Sequence, residues 1–150
     1  MEDISKYKRK ILVTGGAGFI GSALAERLIQ DKDNYVVVVD DLSTGHIGKL
    51  PKATNNYRFI KSDVNDKDEM VEIMLAFHFD YVFHYAAVVG VKRTQDHPVN
   101  VLHDIHGIDN ILSISKNIGV KRVFFASSSE VYGEPVEIPQ NVETTPLNSR

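Results

Sequence analysis

The sequence predicts an α/β protein whose parallel sheet is doubly wound, with its strands in the order 3-2-1-4-5. Short apolar segments alternate with amphipathic helical segments along a chain of 150 residues. A glycine-rich turn joins the first apolar segment to the first helix, and the second apolar segment ends in an acidic residue. Such alternation favours a parallel sheet with helices on both faces, and right-handed crossovers then give the predicted strand order.

The first two strands flank an amphipathic helix. We predict strands at residues 10–14 and 35–40, each a short run rich in apolar residues. The helix between them is predicted over residues 18–31, with one apolar and one polar face. The apolar face comprises Ile20, Ala23, Leu24 and Leu28.

The middle of the chain supplies two more strands, at residues 57–61 and 81–84. Between them a helix is predicted to begin after Asp66, with Glu69 in the position of a capping box. Its apolar positions are expected to be buried. They are Met70, Ile73, Met74 and Phe77.

A long helix is predicted over residues 98–117, with Gly119 as its stop, followed by a fifth strand at 122–126. Apolar residues along this helix step by four, three and four, which is typical of a buried face. They are Val101, Ile105, Ile108 and Leu112. The remaining residues are polar and proline-containing, which predicts a loop.

Composition excludes several classes of protein. The chain is 43% hydrophobic and 25% charged, and its net charge of −3 argues against a nucleic-acid surface. No apolar segment approaches the roughly 20 residues of a membrane helix, and residues 1–10 lack the apolar core of a signal peptide. Because there is no cysteine, we expect no disulfide and no thiolate metal site, which is compatible with a reducing cytosol. We predict a cytoplasmic protein, and no metal site.

The turn after the first strand is the strongest functional signal. Gly15, Gly18 and Gly21 follow a G-x-x-G-x-x-G spacing between a strand and a helix. Such a turn brings a diphosphate against bare backbone at a helix N-terminus, where unpaired N–H groups favour negative charge. A P-loop is excluded because no Gly-Lys-Ser/Thr follows the glycines. The turn therefore predicts a Rossmann-type dinucleotide site.

The acid at the end of the second strand bears on the choice of cofactor. Asp40 lies 19 positions beyond Gly21, near the spacing of about 20 at which a carboxylate binds the adenosine ribose. Asp41 adds negative charge and no Arg or Lys follows before Lys49, so we predict NAD rather than NADP. Two alternatives remain. Asp40 merely terminates the strand, or the chain is a methyltransferase, which also has a glycine turn and an acid after its second strand.

Hydroxyl and carboxyl groups follow the fifth strand, in the run Ser127-Ser128-Ser129-Glu130. They stand where the nicotinamide of a dinucleotide would project beyond the sheet. A serine there can hydrogen-bond a substrate hydroxyl or carbonyl, and Glu130 could act as a general acid or base. Taken by itself, a run of serines after a strand is more often an ordinary loop.

Together these segments resemble the extended short-chain dehydrogenase/reductase family, whose members are NAD-dependent sugar-nucleotide epimerases, dehydratases and decarboxylases. The similarity extends over residues 9–150. It is carried by residues 14–21 (TGGAGFIG), 40–45 (DDLSTG), 62–64 (SDV), 84–87 (HYAA) and 127–133 (SSSEVYG). The resemblance implies a Rossmann fold, tightly bound NAD, and transient hydride transfer from a sugar carbon to the nicotinamide.

The resemblance also implies roles for individual residues. The diphosphate turn would comprise Gly15, Gly18, Phe19, Ile20 and Gly21. The adenosine ribose would lie against Asp40, with Asp41, Ser43 and Gly45 in the loop that follows. The adenine and the wall beside strand four would be formed by Asp63, Val64, Ala86 and Ala87. The catalytic hydroxyl would be Ser128, with Glu130 as a proton donor or acceptor.

The chain departs from the family pattern in two places, at Asp104 and in the Tyr-x-x-x-Lys, and a third position distinguishes between members of the family. Asp104 stands where family members usually carry Asn, three residues before the helix glycine Gly107. Ser129-Glu130 replaces the Asp-Glu of dehydratases, which favours a decarboxylase or an epimerase. The catalytic Tyr-x-x-x-Lys is expected beyond residue 150, and Tyr132 does not replace it. We therefore expect residues 1–150 to be a truncated NAD-binding domain, inactive by itself, without the C-terminal strands and substrate domain.

The sequence thus predicts the NAD-binding part of a sugar-nucleotide epimerase, most like a UDP-sugar 4-epimerase. The alternatives are a decarboxylase or dehydratase of the same family, or a non-catalytic NAD-binding module. The expected partner is a nucleotide sugar, with no nucleic acid and no membrane, and the resemblance implies a homodimer through the long helix. His103 and His106 share one helical turn, but without a third ligand they are expected to be a solvated face.

Overall fold

The computed structural model describes residues 3–87, 95–96, 98–134 and 136–147, with side chains omitted at 98, 100, 101, 129 and 130. Five strands form one sheet in the order β3-β2-β1-β4-β5, and every neighbouring pair is parallel. The predicted fold class and strand order are therefore confirmed. The strands are β1 (Arg9–Thr14), β2 (Asn34–Asp40), β3 (Tyr57–Lys61), β4 (Tyr81–His84) and β5 (Arg122–Phe125). The helices are α1 (Phe19–Leu28), α2 (Lys67–Phe77) and α3 (Pro98–Ile118).

The sheet has an apolar layer on each face, because successive side chains of a strand point to opposite sides. Val36 and Val38 of β2 pack with Ala25 of α1 in one cluster. Val37 and Val39 pack on the other face, against apolar side chains of α2 and α3. Every residue of β2 is buried, as expected of a central strand covered on both faces.

Helix α1 ends at Leu28, three residues before the predicted end, and it turns a different face to the sheet. Its buried residues are Gly21, Ser22 and Ala25, whereas Ile20 is exposed, so the predicted apolar face is wrong. A Cβ on Gly21 would lie 2.4 Å from the carbonyl oxygen of Gly15. The glycine turn therefore decides which side of α1 packs inward.

Helix α2 begins as predicted, since the Asp66 side chain accepts a hydrogen bond from the Glu69 N–H at 3.0 Å. Its predicted buried residues are all buried. The reciprocal hydrogen bond of a capping box, from the Asp66 N–H to the Glu69 side chain, is not formed, so this part of the prediction is wrong. The Glu69 carboxylate accepts a hydrogen bond from the Ser62 hydroxyl at 2.6 Å, and the Asp66 N–H donates to the Asp63 carbonyl.

Helix α3 ends at Ile118, one residue beyond the predicted end, and the predicted stop Gly119 follows it with a left-handed φ of 78°. The Val120 N–H donates to the Ser115 carbonyl at 2.9 Å, which satisfies one of the last carbonyls of the helix.

The predicted buried face of α3 is wrong. Ile105 and Leu112 are more than half exposed, Ile108 is half-buried, and the Val101 side chain lies outside the described residues. The face that packs inward instead comprises Gly107, Asn110, Ile111, Ile114 and Ser115. Strand β5 ends at Phe125, one residue early, and a short 3-10 turn at Ser129–Tyr132 lies in the predicted loop.

Candidate functional site

The glycine turn lies at the carboxyl edge of the sheet, in contact with the ends of β2 and β4. Gly15 has a φ of 67°, and its N–H donates to the Val39 carbonyl at 2.8 Å. A Cβ at this position would lie 2.6 Å from the Ala86 nitrogen and the Tyr85 carbonyl carbon. Gly15 is therefore required both by its backbone conformation and by the close approach of β4.

The N-terminus of α1 opens from this turn without a side-chain cap. Gly18 is the N-cap residue, its N–H donates to the Gly15 carbonyl at 3.1 Å, and no acid lies in the first helical turn. Phe19 and Ile20 follow, and both side chains are exposed. The first N–H groups of a helix attract anions, so the bare backbone at this end fits a diphosphate.

Asp40 ends β2 and is only 7% exposed. One carboxylate oxygen, Oδ2, accepts a hydrogen bond from the Ala17 N–H at 2.9 Å, and Oδ1 accepts one from the Leu42 N–H at 2.8 Å. The carboxylate thus ties the glycine turn to the loop after β2. Because a carboxylate can accept about four hydrogen bonds, two positions remain for the hydroxyls of a ribose.

The loop after Asp40 is shaped by close backbone contacts. Exposed Asp41 accepts a hydrogen bond from the Ser43 N–H at 2.8 Å. A Cβ on Gly45 would lie 2.5 Å from Asp40 Oδ1 and 2.8 Å from the Ala17 Cβ. Gly45 therefore allows this loop to pack against the glycine turn. The His46 N–H also donates a hydrogen bond to the Ala17 carbonyl in that turn.

The loop after β3 presents an acid at the same edge. Asp63 is exposed, and its Oδ1 accepts hydrogen bonds from both the N–H and the side-chain Nδ2 of Asn65, each at 2.9 Å. Val64 is buried and packs in the main apolar cluster. This loop presents the Asp63 carboxylate at the edge of the sheet, while Val64 anchors the loop in the core.

A buried histidine joins the ends of β1 and β4. The Ala86 N–H donates to the Thr14 hydroxyl at 3.3 Å, and that hydroxyl lies 2.7 Å from Nδ1 of His84. His84 is 3% exposed, and burial lowers its pKa to about 4, so the ring is neutral at pH 7. Its ring stacks on Phe125 of β5. Ala86 is half-buried and Ala87 exposed at the mouth of this junction.

Ser128 is exposed just beyond β5, at the edge that carries the glycine turn. Its carbonyl accepts a hydrogen bond from the Val131 N–H at 3.3 Å. The side chain of Glu130 lies outside the described residues. The structure therefore brings Ser128 to the expected edge of the sheet, whereas its catalytic role and that of Glu130 stay predictions.

His103 and His106 are both exposed on α3, with ring centroids 6.2 Å apart. Within the part of the chain that the structure describes, no group of three or more ligating side chains could hold a metal ion. Asp104, which lies between the two histidines, is half-buried.

These elements together match a family model. The model describes the NAD dependent epimerase/dehydratase family, and the match spans residues 11–150. The chain belongs to this family. The resemblance seen in the sequence is thereby confirmed, and so is the prediction of NAD at the level of the family, which is NAD-dependent.

Named relatives within the family are UDP-sugar enzymes. A UDP-N-acetyl-alpha-D-glucosaminuronate decarboxylase of Bacillus cytotoxicus is 41% identical over 128 residues, covering 85% of this chain and 39% of the relative. A UDP-glucose 4-epimerase of Mycolicibacterium smegmatis is 37% identical over 143 residues, covering 93% of this chain and 45% of the relative.

A solved structure extends the similarity to the fold. The UDP-glucose 4-epimerase of Thermus thermophilus, in complex with NAD, matches with a TM-score of 0.82 and 34% identity, covering 93% of this chain and 44% of that one. The present chain thus spans less than half the length of each of these three relatives. None of the helices in its described residues is long and apolar enough to cross a membrane.

Sequence reasoning predicted a satisfied histidine at the end of β4, and His84 is buried with the Thr14 hydroxyl as its partner. It missed the contacts by which Asn65 and Asn110 tie the loop after β3 to α3. One signal was present. Asparagine is a poor residue for a helix interior, so Asn110 within a long helix indicates a side chain with a specific partner.

Proposed function

We propose that this chain forms the NAD-binding part of a UDP-sugar epimerase. The observation that carries the proposal is the glycine turn at the uncapped start of α1, with the Asp40 carboxylate beside it. This arrangement suits the diphosphate and adenosine ribose of a dinucleotide. The UDP-sugar names of the relatives support the substrate class.

The residues at the carboxyl edge would share the binding of NAD. The diphosphate would lie against the backbone of Gly15, Gly18, Phe19, Ile20 and Gly21. The adenosine ribose would be bound by Asp40, within a loop shaped by Asp41, Ser43 and Gly45. The adenine would lie against Asp63 and Val64, and the nicotinamide side would pass Ala86 and Ala87.

When bound, NAD would supply an acceptor for a hydride from a sugar carbon and would return that hydride afterwards. Ser128 would orient the sugar hydroxyl by a hydrogen bond from its position beyond β5. Glu130 would donate or accept a proton in the decarboxylating or eliminating variants of the reaction. We test Ser128 in a full-length relative, where alanine at the matching position should remove most turnover while NAD stays bound; unchanged turnover would reject the assignment.

A sugar-nucleotide decarboxylase is the second candidate. The relative at 41% identity is named as one, and the Ser129-Glu130 pair after the hydroxyl resembles that group. Analysis of the products of a full-length protein containing this domain distinguishes the two candidates. A decarboxylase releases CO2, whereas an epimerase leaves the mass of the sugar unchanged.

The experiment that tests the cofactor is thermal unfolding of this chain with NAD, and with NADP and S-adenosylmethionine as controls. A ligand that binds only the native state raises the unfolding midpoint by mass action. We expect NAD to raise it and NADP not to, and Asp40→Asn to weaken the effect more than Asp41→Asn. A shift with S-adenosylmethionine and none with NAD would favour a methyltransferase and reject the proposal.

The partners of the chain are also proposed. An apolar stripe on α3, formed by Leu102, Ile105 and Leu112, is exposed opposite the buried face of the helix. We propose that this stripe pairs with the same stripe of a second copy to form a homodimer, as the family resemblance implies. The lack of cysteine in the sequence supports a cytoplasmic location, where thiols stay reduced.

A further inference from the structure

Helix α3 packs directly against the loop after β3, and a glycine makes the approach close enough. A Cβ on Gly107 would lie 2.9 Å from Cγ2 of Val64 and 3.1 Å from Oδ1 of Asn65. Gly107 also donates its backbone N–H to Asn65 Oδ1 at 2.9 Å. The middle of α3 is therefore joined to a loop at the carboxyl edge of the sheet.

Asn110 adds a second connection one turn later. It is buried, and its side-chain Nδ2 donates to the carbonyls of Val64 at 3.0 Å and Asn65 at 3.2 Å. A buried carbonyl without a hydrogen bond is costly, so Asn110 fixes the backbone of these two residues.

Asn65 connects the helix to the exposed acid of the loop. Its carboxamide oxygen accepts from Gly107, while its Nδ2 and its backbone N–H both donate to Oδ1 of Asp63. These bonds set the orientation of the Asp63 carboxylate and do not use its other oxygen, Oδ2. The path from α3 to Asp63 is thus continuous through hydrogen bonds.

We propose that Asn65 and Asn110 are positioning residues that hold Asp63 and Val64 in place for the adenine ring of NAD. The inference rests on the proposed function, because it needs NAD in the site. Oriented from α3, Asp63 Oδ2 would accept a hydrogen bond from the 6-amino group of adenine, and Val64 would pack beside the ring. A loop without these supports would contact the ring without distinguishing its substituents.

The test compares NAD with nicotinamide hypoxanthine dinucleotide, in which the 6-amino donor of adenine is replaced by a carbonyl acceptor. Dissociation constants for both are measured by calorimetry on this chain and on Asn65→Ala and Asn110→Ala. A hydrogen bond of about 1 kcal/mol corresponds to about a fivefold change in affinity. We expect the original chain to prefer NAD by at least that factor, and both variants to lose most of the preference.

Two control variants separate positioning from general stability. Ile114→Val trims a buried side chain on the same helix, and Asn55→Ala removes an exposed asparagine from the loop before β3. Both should keep the preference for NAD at its original value. If Asn110→Ala does not fold, Asn65→Ala alone decides, since its side chain is only half-buried.

The outcomes distinguish this inference from the proposed function. If the original chain binds NAD and Asn65→Ala lowers the unfolding midpoint but keeps the preference, the asparagines only dock α3 and the inference is wrong. If the original chain binds neither dinucleotide, the proposed function of this chain fails and the inference fails with it.

Discussion

Gly15 and Gly119 both have left-handed backbone, but their surroundings differ. A Cβ on Gly15 would collide with Tyr85 and Ala86, whereas no described heavy atom outside its neighbours lies within 4 Å of a Cβ on Gly119. We expect Gly119→Ala to lower the free energy of unfolding by about 1 kcal/mol, through backbone strain alone. Gly15→Ala adds the collision and should cost about 3 kcal/mol or more.

Urea unfolding of the two variants measures this difference. An equal loss of stability in both would mean that the strand ends move apart to accept the methyl group. Glycine would then be required at position 15 by the left-handed backbone conformation and not by close packing.

His84 makes stability depend on pH. Its pKa is lowered by burial to about 4 in the folded chain, against an ordinary value of 6.5. The unfolded chain therefore binds more protons between these values, and stability falls as the pH drops below 6.5. We expect a loss of about 2 kcal/mol from this residue between pH 7.5 and pH 5, with no contribution above pH 7.5.

The measurement is the free energy of unfolding across that range for the original chain and for His84→Asn. The variant is less stable at pH 7.5 because it loses the contact with Thr14, but its stability should fall less steeply on acidification. His103→Asn, at an exposed position, should keep the original slope. Identical slopes for all three chains would contradict the assignment.

Single residues could be predicted where chemistry is local to the sequence. The glycine spacing, the acid ending β2 and the cap at Asp66 each involve residues close along the chain, and each occupies the expected place. The Asn65 and Asn110 contacts could not be predicted, since they join residues more than 40 positions apart. Such contacts depend on how closely a helix approaches a loop, which no local pattern encodes.

The elements show a similar division. Strand positions and helix ends could be predicted to within a few residues, because apolar runs and capping residues mark them. The buried faces of α1 and α3 could not, because each face contains small or polar residues at the positions of closest packing. Gly21 fits against Gly15, and Gly107 fits against Val64, so neither contact contributes to an apolar pattern. In α3 the exposed apolar residues gave a clearer helical repeat than the buried ones, and they were therefore predicted to face the core.

Ser115 gives a test at this scale. Its hydroxyl is buried in the inner face of α3 and has no hydrogen-bond partner among the described residues. Ser115→Ala removes an unsatisfied polar group and improves helix propensity, so we expect stabilisation by about 1 kcal/mol. Differential scanning calorimetry should show a midpoint higher by roughly 2–4 °C.

Ser113→Ala, two positions earlier in α3, is the matched control. The Ser113 hydroxyl donates to the Asp109 carbonyl, so its removal sacrifices a hydrogen bond while gaining the same propensity. Its midpoint should change by less than that of Ser115→Ala. Equal midpoints would show that helix propensity, and not the buried hydroxyl, dominates.

In the whole molecule, the parallel sheet places the predicted functional residues at one edge, the carboxyl edge of the strands. All five strands run parallel, so the loops after β1, β2, β3, β4 and β5 emerge on the same side. That is why a glycine turn, two acids and a serine far apart in sequence converge. Exposed apolar surface is also present along the stripe of α3.

The α3 stripe leads to a prediction about assembly. Leu102 is 61% exposed and Ile105 58%, although both are large and apolar, and burying them against a second copy would remove this surface from water. We expect sedimentation equilibrium to show a dimer, and Leu102→Glu or Ile105→Glu to shift the chain toward monomer. Val142→Glu, at an exposed apolar position outside α3, should not change the distribution. Since the stripe lies apart from the glycine turn, the monomeric variants should keep NAD affinity; dimers that persist in both variants would place the interface elsewhere.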